Sequence, residues 1–347
     1  MNDMDKINLL EMNREALLGF VLEMGEKSFR ASQIWSWLYT KGAGQFDEMT
    51  NLSKAFREKL NRIAEIRHLH LIRISDSSTS GTQKFLWQLA DGLQIESVFI
   101  PEEKRRTICV SSQVGCKLAC GFCATGSMGY KRNLKAYEII DQILSIRAKV
   151  EEPPTNVVVM GMGEPFLNYD NVIEALTLVN DKDSIAIGHR KITISTAGVV
   201  PAIHRYTEEG HPFKLAISLN ATTDAVRSRI MPINRKYPIK MLLNAAKIYT
   251  KKSKKRITFE YVLLRGVNDS MEDANRLLSL LKKIPCKVNL IAYNSTQSDY
   301  SRPENVHIEA FAETIRPLCA PVTLRLSKGD DINGACGQLA GGMQELS

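Results

Sequence analysis

Thr107-Ile108-Cys109-Val110-Ser111-Ser112-Gln113-Val114-Gly115-Cys116-Lys117-Leu118-Ala119-Cys120-Gly121-Phe122-Cys123 decides how the rest of the chain is read. It opens as a short strand and ends in three cysteines spaced C-x3-C-x2-C, a strand followed by a loop rich in metal ligands. Downstream, short apolar strands near 107–111, 156–161, 191–195, 214–219, 257–263 and 287–292 alternate with amphipathic segments such as 136–150, 172–179, 239–249 and 271–283. Each helical segment is long enough for a right-handed crossover, so the strands are parallel. Six repeats predict an α/β fold, an incomplete (β/α)6 TIM-like barrel, with its site at the C-terminal ends of the strands.

Upstream the period changes. Residues 67–101 alternate with period two, and Ala90-Asp91-Gly92 makes a tight turn between 84–89 and 93–100, which predicts a β-hairpin bridging two domains. The start of the chain reads helical, from Asn8-Leu9-Leu10 onward and over 28–39; Lys41-Gly42 stops the pattern, and a basic helix with Lys54, Arg57 and Lys59 follows Asn51-Leu52-Ser53. The expected division is a helical accessory domain over 1–65, a hairpin extension over 66–104 and a partial barrel over 105–347.

With 347 residues, 44% hydrophobic and 24% charged, the chain can bury a sizeable core. It holds neither a long apolar run nor a signal-peptide pattern, so a cytoplasmic protein without a membrane segment is expected. Seven cysteines, three of them crowded together, speak for metal or redox chemistry rather than a disulfide framework. The net charge of +8 suits a polyanionic partner such as nucleic acid.

A structural zinc site wants four closed ligands, and an ordinary [4Fe–4S] electron carrier wants four cysteines. Cys116, Cys120 and Cys123 leave one iron of such a cluster open to chelate S-adenosylmethionine (SAM), whose reductive cleavage gives a 5′-deoxyadenosyl radical. Zinc or a simple carrier with a distant fourth ligand stays open on spacing alone. At the second strand, Met160-Gly161-Met162-Gly163-Glu164-Pro165 offers close backbone approach and a carboxylate for an ammonium group. Of the remaining cysteines, Cys286 and Cys319 read as small core hydrophobes. Cys336 lies among Gly334, Ala335 and Gly337, an uncluttered loop suited to a reactive thiol.

The chain resembles the radical-SAM RNA adenine methyltransferases through Cys109 to Cys116, the triplet with Ala124-Thr125-Gly126, Lys131-Arg132-Asn133-Leu134, Gly161 to Pro165, Met231-Pro232-Ile233-Asn234, Gly266-Val267-Asn268-Asp269 and the segment around Cys336. The resemblance implies methylation of C2 of an adenosine in the peptidyl-transferase centre of 23S rRNA and of one beside the anticodon of tRNA. It further implies a [4Fe–4S] cluster on the triplet, two SAM per turnover, and an electron donor such as flavodoxin or ferredoxin. By this carry-over Cys336 becomes S-methylcysteine, is activated by hydrogen abstraction and joins covalently to the base; Cys109 resolves the adduct as a disulfide; and Glu96 accepts the ring-carbon proton. SAM would be held by Gly163, Glu164, Ser195, Ser218, Leu219, Asn220 and Asn294, and RNA by the N-terminal helices, Lys131-Arg132 and the 251–256 run.

Two positions depart from the family's pattern: Ser295 follows Asn294 where proline is expected, and Asn220 replaces a histidine. A sister group using the same five cysteines methylates C8 of the rRNA adenosine. That alternative stays open here, as do a zinc-stabilised RNA-binding protein and a radical-SAM enzyme of small metabolites.

Overall fold

The alternation of apolar strands with amphipathic helices becomes one continuous sheet in the computed structural model, which describes residues 6–317, 321–325 and 327–341. Its ten strands are β1 His70–Asp76, β2 Gln83–Gln88, β3 Gln94–Glu102, β4 Arg105–Val110, β5 Asn156–Val159, β6 Ile192–Thr196, β7 Lys214–Ser218, β8 Ile257–Leu263, β9 Cys286–Ala292 and β10 Val322–Arg325. They lie side by side in chain order. From β4 to β10 every pairing is parallel, as helical crossovers require. The incomplete barrel is therefore the fold observed: among the described residues β1 and β10 are its edges and do not pair with each other. Strand β10 adds a parallel strand to the six expected; its four residues are too short a run to carry a period.

The hairpin forms with Leu86 opposite Glu96, but it does not bridge two bodies. Strand β3 pairs antiparallel with β4, setting Val98 against Cys109, and β1 pairs with β2, so the hairpin extends the barrel sheet. Four consecutive residues of β2 are buried, so both of its faces are covered, while β3 pairs the edge amides of β4. Phe85 and Trp87 stack with ring centroids 5.5 Å apart, and Trp87 is fully buried, a burial worth roughly 2–3 kcal/mol. The Trp87 indole donates to Ser97 Oγ, which donates in turn to Gln142 of the helix Ala136–Arg147.

At the start of the chain the expected helix begins late. Ile7–Asn8 is a two-residue strand against Ala64–Glu65, and the first α-helix is Arg14–Glu23. Asn8 accounts for the delay: its side-chain oxygen accepts from the amides of Leu10 and Arg67, a local bond that competes with helix formation. Phe29–Trp35 is α-helical and widens into a π-turn over Ser36–Lys41, where Gly42 at φ +72° ends it as expected. Ser53 caps the basic helix Lys54–Ile63 by accepting from Phe56 N. No helix among the described residues is long and apolar enough to cross a membrane.

Candidate active site

The triplet loop is anchored at each end. Beyond β4, Ser111 donates from Oγ to Glu96 O at 2.6 Å and accepts from Met162 N at 2.8 Å, fastening strand end, hairpin and glycine loop together. Gln113–Gly115 and Tyr130–Asn133 pair antiparallel as the stem of the loop. Gly115 sits at φ +72°, and a Cβ there would lie 1.8 Å from Gly129 O, the carbonyl that accepts from Cys116 N. Inside the loop Cys123 N donates to Cys120 O, and Gly121 N donates to Ile230 O, which ties the loop to the helix Asp224–Ile230.

Burial raises the pKa of all three thiols, Cys116 to about 12, and Cys120 is raised further by the charges of Cys123 and Cys116. Buried thiols that oppose one another's ionisation need a cation to become thiolate ligands. Three thiols on one loop leave one iron of a [4Fe–4S] cluster without a protein ligand, so the donor set fits such a cluster with an open iron. A cavity of about 340 Å³ borders the loop, lined by Cys120, Cys123, Gly126, Thr296, Gln297 and Ala340 among others. A larger cleft of about 690 Å³, beside Trp35, Tyr39 and Tyr137, contains none of these cysteines. Thiol chemistry rather than volume locates the site.

The glycine loop at the end of β5 packs against β4. Gly161 N donates to Val110 O, and Gly163, at φ +100°, lies so close to Gln113 that a Cβ would fall 2.5 Å from its Cβ. Glu164 is fully enclosed and clamps two strand ends: its carboxylate accepts from Phe166 N at 3.0 Å, Thr196 Oγ1 at 2.6 Å and Ala197 N at 2.7 Å. Burial raises its pKa, and these donors oppose the rise.

The other SAM candidates fall on successive strand ends, as the barrel reading requires. Ser195 Oγ donates to Glu260 Oε2 at 2.6 Å, and Ser218 is in register with Glu260. Leu219 is buried and offers its backbone: its amide donates to Glu260 O and its carbonyl accepts from Arg227 Nε at 2.9 Å. Asn220, at φ +55°, accepts from Val262 N at 2.9 Å. Asn294 donates to Cys336 O at 3.0 Å and accepts from Ser327 Oγ, so it holds the C-terminal loop in place.

Cys109 and Cys336 come together. Cys109 is buried on β4, and burial, followed by the charge of Cys336, pushes its thiol up to about 12. Cys336 is open to solvent yet set within the barrel mouth, where burial raises its pKa, Arg325 lowers it, and Glu260 and Cys123 raise it. Arg325, at the end of β10, is raised first by Cys336 and also by Glu260 and Cys109. Two thiols, one guanidinium and one carboxylate thus share one electrostatic neighbourhood next to the triplet. Cys286 is a core residue at the start of β9, while Cys319 lies outside the described residues.

Glu96 is not the solvated hairpin glutamate its sequence context suggests. It is 2% exposed; Oε1 pairs with Lys84 Nζ at 3.0 Å, and Oε2 accepts from Ala340 N at 2.7 Å and Gly341 N at 3.1 Å. The basic candidates divide. Arg132 is engaged with Glu138 at 2.7 Å and Asp91 at 2.6 Å, which makes it a structural residue and leaves Lys131 as the exposed cation of that pair. The 251–256 run closes the helix Ile239–Ser253 and enters β8 at its N-terminal end, opposite the strand ends that carry the thiols. Lys252 there pairs with Glu208, and Lys255 donates to His211 O and Pro212 O.

Sequence reasoning missed Arg227, Glu260, Arg325 and Lys84. Arg227, fully buried, donates to Ala197 O, Ser218 O and Leu219 O and so fastens two strand ends together. Glu260 carried a legible signal, an acid in the middle of the apolar run Ile257–Leu263.

Two family models match the chain: the ribosomal RNA large subunit methyltransferase N-terminal domain over residues 7–66 and the radical SAM superfamily over residues 110–278. The chain is 47% identical over 345 residues to dual-specificity RNA methyltransferase RlmN 2 of Myxococcus xanthus, covering 96% of this chain and 90% of that protein. It is 45% identical to dual-specificity RNA methyltransferase RlmN of Geotalea uraniireducens, covering 97% and 98% respectively. Among solved structures, a radical SAM methyltransferase from Sphaerobacter thermophilus is similar at a TM-score of 0.92 and 39% identity, over 96% of this chain and 99% of that one.

Proposed function

The chain belongs to the RlmN family of dual-specificity RNA methyltransferases within the radical SAM superfamily, and on that premise we propose that it methylates C2 of adenosine in 23S rRNA and tRNA. The curated relatives speak against the C8 alternative, since those at 43–47% identity carry the RlmN name. The juxtaposition of Cys336 with Cys109 and Arg325 beside the triplet loop carries the reading.

Cys116, Cys120 and Cys123 hold the cluster, which together with SAM supplies a methyl group and a 5′-deoxyadenosyl radical. Gly163, Glu164, Ser195, Ser218, Leu219, Asn220 and Asn294 form the SAM pocket. An adenine C2 is neither nucleophilic nor acidic, so the methyl must be carried by a protein atom that can become a carbon-centred donor. Cys336 is that carrier; burial raises its thiol pKa, and Arg325 opposes the rise. Once the carried carbon has bonded to the base, the adduct holds one unpaired electron, which returns to the cluster on Cys116, Cys120 and Cys123, oxidised by SAM cleavage, and Glu96 takes the ring-carbon proton. The Cys109 thiolate then attacks the Cys336 sulfur, the C–S electron pair leaves with the carbon, which is protonated to methyl, and a Cys109–Cys336 disulfide remains to be reduced. Residues 1–65 act as the RNA-binding accessory domain, 66–104 as the extension and 105–347 as the catalytic barrel. A flavodoxin or ferredoxin supplies electrons, and the protein works in the cytoplasm.

Peptide mapping after anaerobic incubation with SAM and a reductant tests the carrier. A methyl group on Cys336 is expected, and RNA methylation proceeding with no methyl on any cysteine would contradict the assignment.

A further inference from the structure

Lys84 is a lysine inside a protein, 8% exposed, on a hairpin strand that the mechanism above does not use. Long cationic side chains are seldom buried unless a partner holds them. Its ammonium lies 3.0 Å from Glu96 Oε1. Strand register shows why the two meet: Leu86 faces Glu96, Lys84 faces Val98, and Val98 faces Cys109, so Lys84, Glu96 and Cys109 lie on one face of the sheet.

The four acceptor positions of a carboxylate can be assigned here. Oε2 receives the amides of Ala340 and Gly341, and Oε1 receives Lys84. One acceptor position is left, and it is on Oε1. We propose that Lys84 is a positioning residue of the methyl transfer: it anchors Oε1 of Glu96 and so presents that oxygen's remaining acceptor position to the proton leaving the adenine ring carbon. The inference rests on the reading of Glu96 as the base. The proton moves from carbon to Oε1, its bonding pair stays with the ring, and the acid formed is neutral beside an ammonium that keeps its charge.

Other ionisable groups on the packed elements are Arg73, in the cross-strand row with Leu86 and Glu96; Cys109 on β4; and Cys336 in the C-terminal segment. Glu164 is turned away toward Thr196 and Ala197. Removing the Lys84 ammonium leaves Oε1 without its anchor, while Oε2 keeps the amides of Ala340 and Gly341.

The test uses the full-length, cluster-loaded protein with SAM, reductant and unmodified tRNA, and compares RNA methylation with methylation of Cys336. In Lys84→Met the ratio of RNA methylation to Cys336 methylation falls about tenfold. Lys84→Arg restores it. An unchanged ratio in Lys84→Met, or an equal loss of both methylations in Lys84→Met and Lys84→Arg alike, overturns the proposal. Glu96→Gln is the separate control: RNA methylation at the normal rate in that variant removes the base itself, whatever Lys84 does.

Discussion

Replacing Cys109 with alanine is expected to arrest the enzyme on its substrate, with about one RNA captured covalently per active site and no further turnover. The carrier cysteine and the cluster loop are untouched by this change, so the methyl group is loaded, activated and joined to the base. Only the thiol that attacks the Cys336 sulfur is missing. A gel-stable protein–RNA species that survives denaturation and disappears on nuclease digestion measures it; wild-type turnover by Cys109→Ala would remove Cys109 from the mechanism. The native enzyme should show the pH dependence of the same step. Burial and the neighbouring Cys336 charge push the Cys109 thiol up to about 12, so at neutral pH it is almost wholly protonated in the resting state. Below that value the thiolate fraction, and with it the rate of release, rises about tenfold per pH unit. Methylation of Cys336 removes the charge that raises Cys109 before the adduct forms, so Cys109 meets the adduct without that charge beside it.

The second large effect concerns the stem of the triplet loop. Gly115→Ala places a methyl group 1.8 Å from the Gly129 carbonyl in a backbone conformation at φ +72°. Backbone strain and overpacking together should cost on the order of 3–5 kcal/mol and displace Cys116 from its register. Gly129→Ala is the contrast: its φ is also positive, at +70°, but a Cβ there meets nothing within 4 Å, so only the conformational penalty of about 1 kcal/mol applies. Denaturant unfolding and iron content measure both. Equal stability and equal iron loading in the two variants would show that the stem does not position the loop.

Much of this was legible before any coordinates. Apolar runs separated by crossover-length helices gave the parallel strands, and the C-x3-C-x2-C spacing with its open fourth position pointed to SAM chemistry. Strand β10 escaped because Val322–Arg325 is too short to show a period, and with it went Arg325, the cation that shares an electrostatic neighbourhood with Cys336 and Cys109. Cys109 and Cys336 could be paired only through family resemblance, since no local pattern joins a strand to a distant C-terminal loop. Lys84 and Glu96 sat in a hairpin whose period-two pattern does not say what covers either face. The sheet continues into the barrel and the C-terminal segment covers their face, burying both. A tertiary contact decided these cases, where local sequence could not.

The central claim is methyl transfer to C2 of adenosine in RNA through a cysteine-borne carbon. It is tested most directly by nucleoside mass spectrometry of digests from 23S rRNA fragments and tRNA, after anaerobic incubation with the cluster-loaded protein, a reductant and SAM bearing a deuterated methyl group. The account predicts 2-methyladenosine in both RNAs with one deuterium of the transferred methyl lost, because hydrogen is abstracted from the carried methyl and later replaced from solvent. Transfer of the methyl with all its deuterium, or SAM cleavage with no methylated adenosine, would contradict it.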